Sequence, residues 1–399
     1  MEITSKLLIY IGILGFILGF IVHKTNFCTM GAISDWVNIG DLNRFKAWML
    51  ATAIAVLGVS ILEFIEFINL DESRIPYRNS VFFWPRYILG GLMFGIGMTL
   101  TSGCGNKTLI RFGGGNLKSF VVLIVAGMMA YLMTRTDFYG LVFHSWMSPI
   151  SPDLAKVGIQ DQSLSSIFSI FLMNESRGLF HFLLGSIISL MILIFIIRSG
   201  DFFRNSDNFL SGLTVGIVVV LAWFLTGGQF GKEWIETIEF MDEPLPGVGV
   251  QSLTFINPMG EALIFFGNGA NLFYLTFGVT ALIATILGSF TYAIISNNFR
   301  LEWFVTKRDF IRHIIGGVLI GIGGVLSLGC TIGQGVSGVS TLALGSFLAL
   351  ISIIIGAAIT MKIEYYSAVY EDHTFIDHFR SSMADLKLIP NRYRTLEKI

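Results

Sequence analysis

One stretch of this chain occurs twice. Arg86 to Cys104, RYILGGLMFGIGMTLTSGC, returns as Arg312 to Cys330, RHIIGGVLIGIGGVLSLGC, at a constant offset of 226 residues with 10 of 19 positions identical and no gap. The identities include both leading arginines, both Gly-Gly pairs, both Gly-Ile-Gly triplets and the closing Gly-Cys. Each copy reads as an apolar helix that stops at Gly-Cys, then a short glycine-rich polar segment. A second apolar helix follows, marked by Ser119-Phe120 in one copy and Ser346-Phe347 in the other. A duplicated, glycine-interrupted hydrophobic segment in corresponding positions of two halves points to the central binding site of a transporter.

With 53% hydrophobic residues, 13% charged residues and a mean hydropathy of +0.72 over 399 residues, the chain holds more apolar surface than a soluble core buries. Most of it therefore faces lipid. A net charge of -1 argues against a nucleic-acid partner. Three widely separated cysteines with no C-x-x-C exclude a disulfide framework and a zinc site. No Walker loop, dinucleotide fingerprint or helical histidine pair is present, so no catalytic residue, metal or cofactor is expected. The apolar run from Leu7 lacks a small-residue cleavage site and precedes many more such runs, which makes it a first transmembrane helix and not a removable signal.

At about 20 apolar residues per crossing, full spans are expected near 7–23, 43–65, 86–102, 117–135, 178–198, 209–226, 271–295, 311–328 and 343–361. Shorter pieces near 28–37, 104–113, 257–267 and 330–340 are too short to cross and read as re-entrant half-helices enclosed by protein. The expected fold is an all-α polytopic membrane protein of about nine transmembrane and four re-entrant helices. Residues 1–135 form a first membrane repeat, 136–208 an outer loop and a linking helix, 209–361 a second repeat, and 362–399 a cytoplasmic C-terminal tail, polar and short-helical or partly disordered. An odd linking helix inverts the second repeat. With the N-terminus outside, 18 of the 26 lysines and arginines, from Lys24 to Lys398, fall on the inner side, which selects N-out and C-in.

The two Gly-Cys breaks carry the chemistry. Gly103-Cys104-Gly105-Asn106-Lys107 and Gly329-Cys330-Thr331-Ile332-Gly333-Gln334 each open a half-helix near mid-membrane, and a helix N-terminus offers unpaired N–H groups and partial positive charge to an anion. Glycine lets the backbone approach the ligand. The thiol beside it is a weak, polarisable donor that matches a sulfur acceptor without gripping it. Cys28, Cys104 and Cys330 thus read as a row of neutral stations for a sulfur-containing anion, the alternative being small hydrophobes that fill tight helix contacts. Cys28 has Asn257 as its counterpart through Cys-Thr-Met-Gly and Asn-Pro-Met-Gly at the nearby offset of 229. Asn106, Asn257, Thr331 and Gln334 are lining groups or helix caps; Lys107 and Arg111, one turn apart, attract the anion or anchor the interface. Glu261, an intramembrane carboxylate, is a coupling-proton carrier or the partner of an arginine such as Arg86 or Arg312, both otherwise read as membrane-edge anchors. His23, at the end of the first span, reads as an interfacial anchor.

The motifs HKTNFCTMGA, LTSGCGNKTLIRFGGGNLKS and LSLGCTIGQGVSG together resemble the YeeE/YedE family of bacterial sulfur-transport membrane proteins. The resemblance implies an hourglass-shaped inner-membrane protein that takes up thiosulfate, with short helices meeting at a constriction and Cys28, Cys104 and Cys330 marking the path. It further implies a small cytoplasmic sulfur-carrier partner of the TusA type at the inner face. Two other readings stay open: a membrane sulfurtransferase that passes a persulfide to the carrier, and a transporter of a selenium compound or another small anion.

Overall fold

The computed structural model describes residues 2–172, 177–198 and 200–397. Lys398, counted above among the inner cations, lies outside them. The helices are α1 (Glu2–Thr25), α2 (Thr29–Ser34), α3 (Asn43–Phe64), α4 (Trp84–Leu100), α5 (Gly105–Gly113), α6 (Leu117–Arg135), α7 (Ser145–Met147) and α8 (Leu164–Leu172). They continue with α9 (Arg177–Ile197), α10 (Ser206–Gly227), α11 (Gln229–Glu239), α12 (Ile256–Gly267), α13 (Phe277–Ile295), α14 (Lys307–Leu326), α15 (Leu344–Val369) and α16 (Phe375–Asp385). Among the described residues nine helical stretches are long and apolar enough to cross a membrane, and the only extended pairings are four isolated bridges. The protein is an all-helical multi-pass membrane protein.

Boundaries differ from the sequence reading by a few residues, since charged termini such as Lys307 and Arg308 extend apolar spans into the interface. The largest difference is at the end. α15 runs on to Val369, past the expected span end at 361, with Lys362 turned toward Asp385 and α16 docked on the helix.

The two copies of the repeat pack on each other. A Cβ on Gly90 would lie 2.5 Å from the Ser327 backbone nitrogen, and one on Gly316 would lie 2.5 Å from Thr101 Cγ2. These four positions exchange under the offset of 226. Small residues let α4 and α14 approach backbone to backbone, the close contact membrane helices use where no hydrophobic drive separates protein from lipid. The same exchange holds for the neighbours: α1 packs along α13 as α10 packs along α3, and α4 along α15 as α14 along α6. The linking helix α9 lies against α3, outside this exchange.

Both copies also stop in the same way. Gly103 N–H donates to Met98 O at 2.9 Å and Gly329 N–H to Gly324 O at 2.8 Å, with Ser102 (φ 55°) and Leu328 (φ 63°) in the left-handed region just before. That is the Schellman ending of a helix, which satisfies carbonyls that lipid would leave bare. Thr101 and Ser327 complete it alike, each hydroxyl bonding the carbonyl four residues back and the one two residues on.

Candidate substrate path

Each cysteine begins a short helical segment. Cys28 caps α2 and its sulfur accepts the Gly31 N–H at 3.4 Å; Cys330 accepts the Gly333 N–H at the same distance; Cys104 caps α5 with its thiol beside the Lys107 N–H. A sulfur that accepts from its own helix leaves its S–H free to donate elsewhere. The three starts converge. Cys104 lies beside the Thr331 hydroxyl, with Cys28 and Cys330 as the neighbouring thiols. A Cβ on Gly105 would stand 3.7 Å from Cys330 Cβ and 3.0 Å from Ile256 Cδ1, so a side chain there would fill the meeting point.

Polar groups around this point are buried and short of partners. Asn106 Oδ1 makes no hydrogen bond and Thr331 Oγ1 has nothing but the weak Cys104 thiol beside it, at residue exposures of 2% and 0%. Gln334 does both: its amide nitrogen donates to Ser327 O and braces the second break, while its Oε1 is buried without a partner. Asn257 sits in the first turn of α12, whose leading residue Phe255 has its backbone against the Cys330 sulfur. Gly103 and Gly329 contribute the N–H groups of the two helix endings.

Cations gather at one end. Lys107 donates to the Asn26 side chain, Arg111 to Ser102 O at 3.0 Å, and Arg44 reaches both Asp35, at 3.1 Å, and Asn26 O, at 3.3 Å. Lys107 and Arg111, with Lys24 and Arg300, line a vestibule of about 390 Å³. His23 is tied to α13 through Ser289 Oγ at 2.8 Å. Arg44 had no signal in the sequence beyond a charge near a helix start; only the fold carries it to the Cys28 loop.

The opposite end is shut. Every residue from 330 to 343 is buried. Tyr77 donates to Gly333 O at 2.8 Å, and Arg78 donates to Thr341 O at 3.0 Å while gripping Glu63 through two bonds of 2.6 and 2.8 Å. Glu261 belongs to this end. Its partner is neither Arg86 nor Arg312 but Arg74, at 2.5 Å, with Thr276 on its other oxygen. Arg86 is no simple edge anchor, because it donates to Leu326 O (2.8 Å) and Val325 O (3.2 Å), the last carbonyls of α14. Arg312 pairs with Glu364. Among the described residues no group of three or more acidic, histidine or cysteine side chains is placed to hold a metal.

The family model described as sulphur transport matches residues 24–359. A protein of Escherichia coli (strain K12) named thiosulfate transporter TsuA is 24% identical over 364 residues, covering 86% of this chain and 91% of its own length. One of the same name from Spirochaeta thermophila is 22% identical over 359 residues, covering 88% of this chain and 97% of its own.

Proposed function

Since the chain belongs to the sulphur transport family, we propose that it carries thiosulfate, or a closely related sulfur-containing anion, inward across the bacterial cytoplasmic membrane. Both curated relatives are named for that substrate. The observation that carries the reading is the convergence of three helix starts and three thiols on one point where Asn106 Oδ1 lacks a partner and the Thr331 hydroxyl has only a thiol beside it.

A doubly charged anion leaving water must find replacement donors, or its desolvation forbids the crossing. Here the donors are the S–H groups of Cys330, Cys104 and Cys28, the Thr331 hydroxyl and the N–H groups at the starts of α5 and the 331–341 segment, helped by the helix dipoles. Each is individually weak, so the anion passes from one to the next without becoming trapped. Lys107, Arg44 and Arg111 then draw it toward the vestibule, where water takes it up. Hydrogen bonding alone performs the transfer, with no sulfur bound covalently, and the vestibule is the face a TusA-type carrier would meet. The strap bearing Tyr77 and Arg78 must lift from the 330–343 segment to admit substrate from outside.

Radiolabelled thiosulfate uptake into proteoliposomes, with and without a proton gradient, tests this. Wild type should accumulate label, and Cys104→Ala or Cys330→Ala should abolish uptake and fail to support growth of an uptake-deficient bacterium on thiosulfate as sole sulfur source. Normal growth of either variant removes the thiols from the path. A persulfide trapped on any of the three cysteines in turnover would replace transport with sulfur transfer.

A further inference from the structure

We propose that the cleft between α4, α14, α15 and α16 binds one ethanolamine phospholipid. Its volume is about 1080 Å³, against about 390 Å³ for the vestibule. Leu92, Ile96 and Leu100 line it at successive turns of α4, a strip about 12 Å long at 1.5 Å per residue. Ile359 and Ile363 face them from α15. This apolar wall lies at membrane depth, where an acyl chain fits and water does not.

The mouth of the cleft is charged. Arg312 is already paired with Glu364, and Asp309 is held by Lys118 at 2.7 Å. Arg308 and Glu371 remain: both line the cleft, both are exposed, and neither makes an ion pair among the described residues. One free guanidinium and one free carboxylate over an apolar slot complement a phosphate and an ammonium carried on an acyl chain. An anionic head group without the ammonium would set its charge against Glu371.

A second observation places this mouth at head-group level. α16 is an amphipathic helix docked on α15, yet Phe375, Ile376 and Phe379 on it are 68%, 59% and 41% exposed. Phe375 and Phe379 edge the same cleft. A helix with an apolar face of this kind lies in the membrane interface. The bound chain would run along α4 from Leu100, four residues before Cys104, to Leu92.

Native mass spectrometry of the protein released in a mild detergent reads the occupant. Wild type should retain one ethanolamine phospholipid, and Arg308→Ala, Glu371→Gln and the slot-filling Ile96→Trp should each lower retention about tenfold, the loss of one charge-assisted contact or its equivalent. Lys387→Ala, exposed just past α16 and outside the cleft, should retain it, and thermal melts should show all four variants folded. Delipidated protein should reload with the ethanolamine lipid and not with a glycerol phospholipid. Equal retention in every variant, preference for the glycerol lipid, or wild type free of lipid would overturn the site.

Discussion

Thr331 keeps a buried hydroxyl with nothing but the weak Cys104 thiol beside it, in a protein whose Thr52, Thr99, Thr285 and Thr360 hydroxyls all turn back to the carbonyl four residues earlier. Leaving such a group unsatisfied costs about 1–3 kcal/mol, and a ligand oxygen would remove the cost. Thr331→Val should therefore melt no lower than wild type, while thiosulfate uptake drops about tenfold through the loss of one hydrogen bond. A variant that is less stable yet transports normally would make the hydroxyl structural. Cys104 and Thr331 were legible as candidates in the sequence because each sits at a helix break. Gln334 was named for the same reason; its amide nitrogen braces Ser327 while its Oε1 stays buried without a partner, and no spacing rule tells a lining amide from a bracing one.

At the scale of an element, the two breaks obey one design. Ser102 holds a left-handed conformation at an exposed position, which a side chain with a Cβ adopts at a cost of about 1 kcal/mol. Ser102→Gly should raise thermal stability, an increase of up to roughly that size; a lower melting temperature would show that the serine side chain holds the turn. Gly90→Val and Gly316→Val should each lower stability by about 1–3 kcal/mol, since either side chain pushes α4 from α14. Similar losses in both are expected from their exchanged positions, and a loss in one alone would show the two crossings to be unequal. On α16 the Thr374 hydroxyl holds the Asp377 carboxyl below the usual aspartate range. The cap is therefore complete above the ordinary aspartate pKa and is lost as pH falls through the lowered one, visible as fraying of α16 by amide exchange. Helix breaks were readable because glycine and apolar runs are local signals, whereas the end of α15 was not, because the docking of α16 sets it.

Across the whole molecule the exchange of partners between halves is broken at the two ends. One end opens on a vestibule lined by Lys107, Arg111 and Arg300, while the other is latched by Arg78 and Glu63, whose side chains are only 5% and 16% exposed. Removing Glu63 leaves the buried Arg78 with the more exposed Asp71, at 3.3 Å, as its carboxylate, so Glu63→Gln should destabilise by about 3 kcal/mol. It should also speed labelling of Cys330 by thiol reagents added from that end, and unchanged labelling would clear the latch of any gating role. The sequence by itself determined the membrane class, the number of spans, the duplication and the three helix-opening cysteines. All of these follow from apolar run length, glycine punctuation and self-similarity, which are properties of neighbouring residues. Only the tertiary structure decided that Glu261 meets Arg74, that Arg44 reaches the Cys28 loop, and that one end is closed. Those pairings join residues up to 263 positions apart, and what brings them together is the packing of helices whose lipid-facing and protein-facing sides look alike in composition.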